Sequence, residues 1–289
     1  MNRRKFVQTT ALASLAFGLS DALAFAPKKR KIGIQLYSVR DELKAGLDSV
    51  IGRLAGMGYQ QIEMFGYNDG KYFGNDMKAT AAILKKYGVT SPSAHIGLAE
   101  FLHKGNDDVW KKAVDDAKLI GNDYLVVPWL EEQYRKTPDD YKKLAARLNR
   151  GAELCKAGGL KFAYHNHAFE FDTLPGGGTG YDIILNETDA SMVKLELDLY
   201  WVKNAGKDPF ALFAAQPGRF VMWHVKDMDK TNKDKQTEVG NGSIDFKAIF
   251  AKAKQSGLEY FFVEQENYAV SPYDSVEKCI RYVKGNLVK

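Results

Sequence analysis

Apolar residues fall in eight short runs, each followed by a helix-length segment with amphipathic spacing. The runs are rich in β-branched and aromatic residues. They predict strands at Ile32–Ser38, Gln60–Phe65, Val89–Ile96, Asp123–Pro128, Leu160–His165, Met192–Leu199, Arg219–Val225 and Glu259–Glu264. The clearest helical pattern covers Tyr141–Lys156, where Leu144, Leu148, Ala152 and Cys155 share a face. Gly58, Gly88, Gly121, Gly158-Gly159 and Gly257 stand just before a strand, where a glycine ends a helix at little cost. Thr137, Ser243 and Ser271 stand where N-caps belong. Alternating strand and helix predicts a parallel sheet. Eight units of about 33 residues close into a single (β/α)8 TIM barrel, placed at residues 32–289. An open doubly wound sheet would want a glycine-rich turn after the first strand, and Ile34-Gln35-Leu36-Tyr37-Ser38 has none.

The pattern before residue 32 is different. Arg3-Arg4-Lys5-Phe6 leads into an Ala- and Leu-rich stretch with small residues at A-x-A spacing, which predicts an export signal over residues 1–24. The arginine pair resembles the twin-arginine type, whose route carries folded proteins and suits a chain that takes up its metal first. A basic arm follows at residues 25–31. The expected location is the periplasm, or the membrane surface if the signal stays attached. The signal is too short and too interrupted by Ser14, Gly18, Ser20 and Asp21 to span a bilayer well, so no stable membrane insertion is expected after processing.

Composition narrows the class. The chain of 289 residues is 45% hydrophobic and 27% charged, which excludes low-complexity disorder. Two cysteines exclude a disulfide scaffold. Cys155 and Cys279 fall on the fourth and eighth helices, too far apart in a barrel to bond, and read as buried thiols. The formal charge is +5, and loss of the signal removes three basic residues and one acid. That small surplus gives no reason to expect nucleic acid as a partner.

Chemistry in such a barrel sits at the C-terminal ends of the strands, and here those ends are polar. Gln35, Glu63 and His95 end the first three. Tyr164-His165-Asn166-His167 and Glu170 follow on the fifth, Asp198 ends the sixth, His224 and Lys226 lie on the seventh, and Glu264 and Glu266 on the eighth. Four of the five histidines lie at strand ends; only His103 does not. One such histidine is usually a hydrogen-bonded core residue, but four at equivalent places point to a site. Asp198 and Glu264 each follow an apolar run directly, so their charges need a partner, and a metal ion is the simplest one. Carboxylates with neutral imidazole suit one divalent metal ion: Mn, Co, Zn or Mg.

These residues carry a resemblance. Tyr164-His165-Asn166-His167 with Phe169-Glu170-Phe171, Leu197-Asp198, His224-Val225-Lys226-Asp227, Gly240-Asn241-Gly242-Ser243-Ile244-Asp245-Phe246 and Val263-Glu264 make the chain similar to the xylose-isomerase-like TIM barrel superfamily, in its sugar phosphate isomerase/epimerase group. The resemblance implies one ion held by Glu, Asp, His and Glu from strands five to eight. Asp198, His224 and Glu264 match the last three. Strand five departs from the pattern, with His165 where a Glu is expected. Glu170 is taken as the ligand and His165 as a base, with the exchange of these two roles as the alternative. Trp201 stands where some members have a histidine, which favours one ion over the three of the DNA-repair branch.

The resemblance implies an isomerase or epimerase acting on a sugar or sugar derivative through a metal-stabilised enediolate. Elimination from a 3-keto-glycoside, as a lyase or hydratase, is the alternative. A non-catalytic carbohydrate-binding barrel and a DNA-repair endonuclease are the other readings. His165, His167, Glu266 and Lys226 are the catalytic candidates. Gln35, Glu63, His95, Trp129 and Trp201 are candidates for lining the substrate pocket, each with a plain packing role as the competing reading. Lys226 could instead pair with Asp227 or Glu196. The expected partner is a small-molecule carbohydrate, free rather than phosphorylated if the chain is exported, and a homodimer is compatible. Pro175–Gly180 reads as a turn or lid, and the charged segment Asp227–Val239 as a solvated face.

Overall fold

The computed structural model describes residues 30–288. The expected signal and all of the basic arm before Arg30 lie outside the described residues. All eight predicted strands form. They are β1 (Gly33–Gln35), β2 (Gln61–Met64), β3 (Thr90–His95), β4 (Tyr124–Val127), β5 (Lys161–His165), β6 (Val193–Asp198), β7 (Met222–Val225) and β8 (Tyr260–Val263). Each pairs in parallel with its neighbours, and β1 pairs β8, which closes the barrel. Helices α1 (Leu47–Met57), α2 (Met77–Lys86), α3 (Asp107–Ile120), α4 (Pro138–Ala157), α5 (Gly180–Glu187), α6 (Pro209–Ala215), α7 (Phe246–Phe250) and α8 (Pro272–Asn286) follow the strands, with further short helical segments between, among them Leu199–Asn204 directly after β6. No helix among the described residues is long and apolar enough to cross a membrane.

Strand alternation sorts the side chains into two shells. Ile62, Met64, Tyr164, Leu195, Leu197, Trp223, Val225, Phe261 and Val263 belong to the large apolar cluster between sheet and helices. The residues between them point inward. Low in the barrel these are apolar: Tyr124, Val126, Ala163, Met222 and Phe262 form a separate small cluster. Toward the C-terminal ends the same inward positions become Glu63, His165, Glu196, Asp198, His224 and Glu264, all buried. The interior therefore changes from hydrocarbon to charge along one axis, and the charge lies at the mouth. Gly33 belongs to the lower layer, where a Cβ would come within 2.5 Å of the Phe262 ring.

Local signals behave largely as expected. Gly58, Gly88, Gly121 and Gly257 have positive φ. At the end of α4 it is Gly159, not Gly158, that takes the left-handed turn. Thr137 and Ser271 accept backbone N–H bonds as N-caps. Ser243 does not; Asp245 caps α7 instead, because the chain needs two more residues to leave the loop anchored by Asp227. That aspartate accepts from the N–H groups of Met228, Gly240, Gly242 and Ile244. Cys155 and Cys279 are buried free thiols.

Three additions follow strands at the C-terminal end of the barrel. A three-stranded antiparallel patch (Tyr67–Asn68, Lys71–Tyr72, Asn75–Asp76) follows β2. A short hairpin (Asp227–Met228 with Gln236–Thr237) follows β7 and occupies part of the charged segment expected to be a solvated face. The segment Pro175–Gly178 is a turn ahead of α5, whose N-cap is Thr179.

Candidate metal centre at the barrel mouth

Four inward residues from adjacent strands meet at the top of the barrel. One ligand atom each from His165, Asp198, His224 and Glu264 lies within 4.8 Å of the other three, and all four residues are buried. With bonds of about 2.1 Å, opposite ligands of one ion are about 4.2 Å apart, so a small contraction would seat it. Orphaned atoms support the fit. Both ring nitrogens of His165 and the Oδ2 of Asp198 are buried without a hydrogen-bond partner. Such atoms are costly unless something takes their lone pairs. Asp198 is also held in aim: its Oδ1 accepts from Trp201 N at 3.0 Å as an N-cap, leaving Oδ2 for the group. A cation fits these residues.

Glu170 stands apart from that group. The hydroxyl of Tyr164 donates to its Oε1 at 2.8 Å, and the backbone N–H of His167 donates to its Oε2 at 2.8 Å. Both oxygens are used in holding the turn after β5, and burial raises its pKa to about 7. The structure thus places His165, not Glu170, beside Asp198, His224 and Glu264, and leaves Glu170 outside both that group and the cavity lining. His165 ends β5 on the inward phase, whereas Glu170 lies in a short 3-10 turn.

Lys226 does not pair with Asp227 or Glu196. Its Nζ lies 3.2 Å from Glu264 Oε2 and 3.6 Å from Asp198 Oδ2, and it donates to Glu266 Oε1. Burial opposes its charge, but those three carboxylates outweigh it and hold the pKa above the ordinary lysine value. Glu264 is likewise held well below the usual carboxylate range, against burial, by Lys226 and His224. Burial pushes the imidazoles of His165 and His167 well below the ordinary value, so both rings are neutral.

Beneath the group lies a second buried layer. His224 Nε2 is 2.7 Å from Glu63 Oε2. Gln35 Nε2 donates to the same oxygen at 2.9 Å, and Ser93 Oγ donates to Glu63 Oε1 at 2.5 Å. His95 Nε2 is 2.6 Å from Glu196 Oε2. Burial raises both glutamates, but His95, His224 and Ser93 bring Glu63 down to about 2, while Glu196, next to that charge, stays raised to about 7. Gln35 and Glu63, expected to line the pocket, are wholly buried here. Glu196 is a further buried carboxylate of this layer, signalled in the sequence only by its two-residue spacing from Asp198 in Leu195-Glu196-Leu197-Asp198.

Above the group opens a cavity of about 880 Å3, lined by His95, Trp129, His165, His167, Trp201, Glu264 and Glu266, with Tyr37, Phe65, Arg135 and Phe169 among the outer walls. This brings together His95, Trp129, His167, Trp201 and Glu266 as lining, in addition to His165 and Glu264 of the buried group. His167 packs edge-on to Trp129 and flat on Phe169, and its Nδ1 has no partner. Arg135, which no motif pointed to, stacks 3.4 Å over Phe169. His103 lies outside the site, paired with Glu131.

Comparison with known proteins agrees with this fold. Residues 51–284 match the family model described as xylose isomerase-like TIM barrel. A curated inosose dehydratase of Clostridium beijerinckii is 27% identical over 210 residues, 64% of this chain and 67% of that protein. One from Lacticaseibacillus casei is 24% identical over 176 residues, 52% of this chain and 56% of that protein. The chain thus spans between about half and two thirds of the length of these relatives. A crystal structure of a sugar phosphate isomerase/epimerase from Parabacteroides distasonis superposes with a TM-score of 0.79 at 29% identity, covering 92% of this chain and 97% of that one.

Proposed function

The chain belongs to the xylose isomerase-like TIM barrel family, and from that membership we propose that it is a divalent-metal-dependent enzyme that removes the proton beside a carbonyl of a sugar or cyclic polyol. The observation that carries this is the buried group of His165, Asp198, His224 and Glu264 under an open cavity. A bound ion would act there as a Lewis acid on the oxygens of a hydroxy-ketone. Two imidazoles and two carboxylates tilt the choice toward Zn2+, Co2+ or Mn2+ and away from Mg2+.

The chain's own residues supply the rest. Glu266 reaches the cavity while Lys226 donates to its Oε1, so the carboxylate can take the proton and the ammonium can balance charge growing on the carbonyl oxygen. His167, two residues past the end of β5 and three strands away, lines the same cavity with a neutral ring whose unpartnered Nδ1 can hydrogen-bond a hydroxyl of the substrate. If Glu266 then gives the proton it has taken to a departing β-oxygen, the result is water or an alcohol and a carbon–carbon double bond conjugated to the carbonyl. If the proton instead returns to carbon, the result is isomerisation or epimerisation. Elimination is the reading we prefer, since the curated relatives are dehydratases. Isomerisation or epimerisation is the second reading, supported by the name of the 29% identical structure. The leading residues support export to the periplasm, and with it a free or oxidised sugar as substrate.

Elemental analysis tests the proposal. Protein purified without chelator should hold about one ion per chain, lost in Asp198→Ala and His224→Ala. With the ion present, keto-sugars and ketocyclitols should exchange the proton beside the carbonyl in D2O. No ion, even after adding Zn2+, Mn2+ or Co2+, would move the non-catalytic binding barrel to first place.

A further inference from the structure

His224 has two ring nitrogens and two different surroundings. Nδ1 faces the candidate ligand group, 2.9 Å from Glu264 Oε2 and 3.9 Å from Asp198 Oδ2. Nε2 faces down the barrel, 2.7 Å from Glu63 Oε2. Neutral imidazole carries one proton, and the group that takes it decides which nitrogen has the lone pair. Glu63 is wholly buried, on β2, on the far side of the ring from the ligand group. It is itself held by two donors: Gln35 Nε2 on the oxygen that meets His224, and Ser93 Oγ on the other. With both partners donating, the carboxylate has only acceptor capacity left, and it must accept the Nε2 proton.

We infer that Glu63 is a positioning residue for the metal centre: it takes the Nε2 proton of His224, fixes that tautomer and turns the Nδ1 lone pair toward the ion. This rests on the reading of His165, Asp198, His224 and Glu264 as ligands. A hydrogen-bonded carboxylate behind a ligating histidine also raises the basicity of the ring, and losing such a partner typically costs 10–100-fold in ion affinity. The same neighbourhood admits a rival reading. Ligand atoms of Glu63, His95, Glu196 and His224 also fall within 4.8 Å of one another, with the Oε1 of Glu196 unpartnered. A second ion there would compete with the bond from His224 to Glu63, and the bonds already made by Gln35, Ser93 and His95 fill most of the lone pairs it would need.

The test is Zn2+ titration of the full chain against a chelator, for wild type, Glu63→Gln and Asp198→Ala. Glu63→Gln keeps the shape and an oxygen that can accept from His224, so it should fold. Its metal-free melting temperature should stay within about 3 °C of wild type. The expected result is one Zn2+ per chain in wild type, one per chain with a dissociation constant raised about 10-fold or more in Glu63→Gln, and none in Asp198→Ala. The Co2+ form should show a changed visible spectrum in Glu63→Gln, which a purely structural role would leave alone. An unchanged Zn2+ constant and Co2+ spectrum in Glu63→Gln would overturn the inference while leaving the ligand group intact. Two Zn2+ per wild-type chain, one lost in Glu63→Gln, would make Glu63 a ligand and overturn it too. No Zn2+ in wild type would overturn both this inference and the ligand reading beneath it.

Discussion

Glu266 and Glu264 are two residues apart and both pair with Lys226, yet the structure gives them different surroundings. Glu264 belongs to the buried ligand group, and Glu266 is part-exposed at the cavity. Replacing Glu266 by Gln should therefore leave ion affinity within a few-fold and slow exchange of the α-proton by about 10²–10⁴. Matched titrations and D2O exchange on one preparation would check it. A loss of the ion in Glu266→Gln would instead place that carboxylate among the ligands. Asp198 and Glu264 stood out as candidate ligands because each follows an apolar run directly, and the family resemblance added His224 to them. Strand five was harder, since His165 and Glu170 lie within six residues. Only the closed barrel shows that one points inward and the other is consumed by Tyr164 and a backbone N–H.

Among the elements, α3 and α4 are tied by one carboxylate. Arg147 Nη2 and Arg150 Nε donate to the two oxygens of Asp107 at 2.8 and 2.7 Å. Those donors hold its pKa below the ordinary aspartate value. A lowered folded pKa means stability that is present above the unfolded value and is lost as pH falls through the folded one. Asp107→Asn should cost about 1 kcal/mol at pH 7, and less at an acidic pH below the ordinary aspartate range, where the carboxylate is being protonated. Urea midpoints at the two pH values would read it. The start of α5 is equally specific. A Cβ at Gly180 would meet ring atoms of Tyr141 at 2.1 to 2.5 Å, so Gly180→Ala should cost about 1–3 kcal/mol and lower the melting temperature. Helix α4 was readable from its apolar spacing and from Thr137. The cap of α7 was not, because Ser243 and Asp245 are both good N-caps and the choice depends on where the Asp227 loop releases the chain.

For the molecule as a whole, the candidate ligand group joins four consecutive strands, β5 to β8, at or within one residue of their C-terminal ends. An ion there should stabilise the entire barrel by mass action. At a free ion concentration about 100 times the dissociation constant the gain is about 2.7 kcal/mol, several degrees in melting temperature. Chelator should remove it, and Asp198→Ala should show no response to either addition. A wild-type melting curve indifferent to both Zn2+ and chelator would count against a centre that bridges these strands.

Local pattern alone determined the eight βα units, the parallel barrel and the collection of polar residues at its mouth. Strand phase and helix capping are short-range matters, fixed by the period of two, by glycines such as Gly58 and Gly121, and by caps such as Thr137 and Ser271. Tertiary structure decided which polar residues share a space. His165 joins Asp198, His224 and Glu264, while Glu63 sits behind His224 although it lies 161 residues away along the chain. The reason is geometric. Every inward residue near a strand end looks alike in sequence. Its height along the barrel axis and its neighbour across the barrel follow only from the register of eight paired strands.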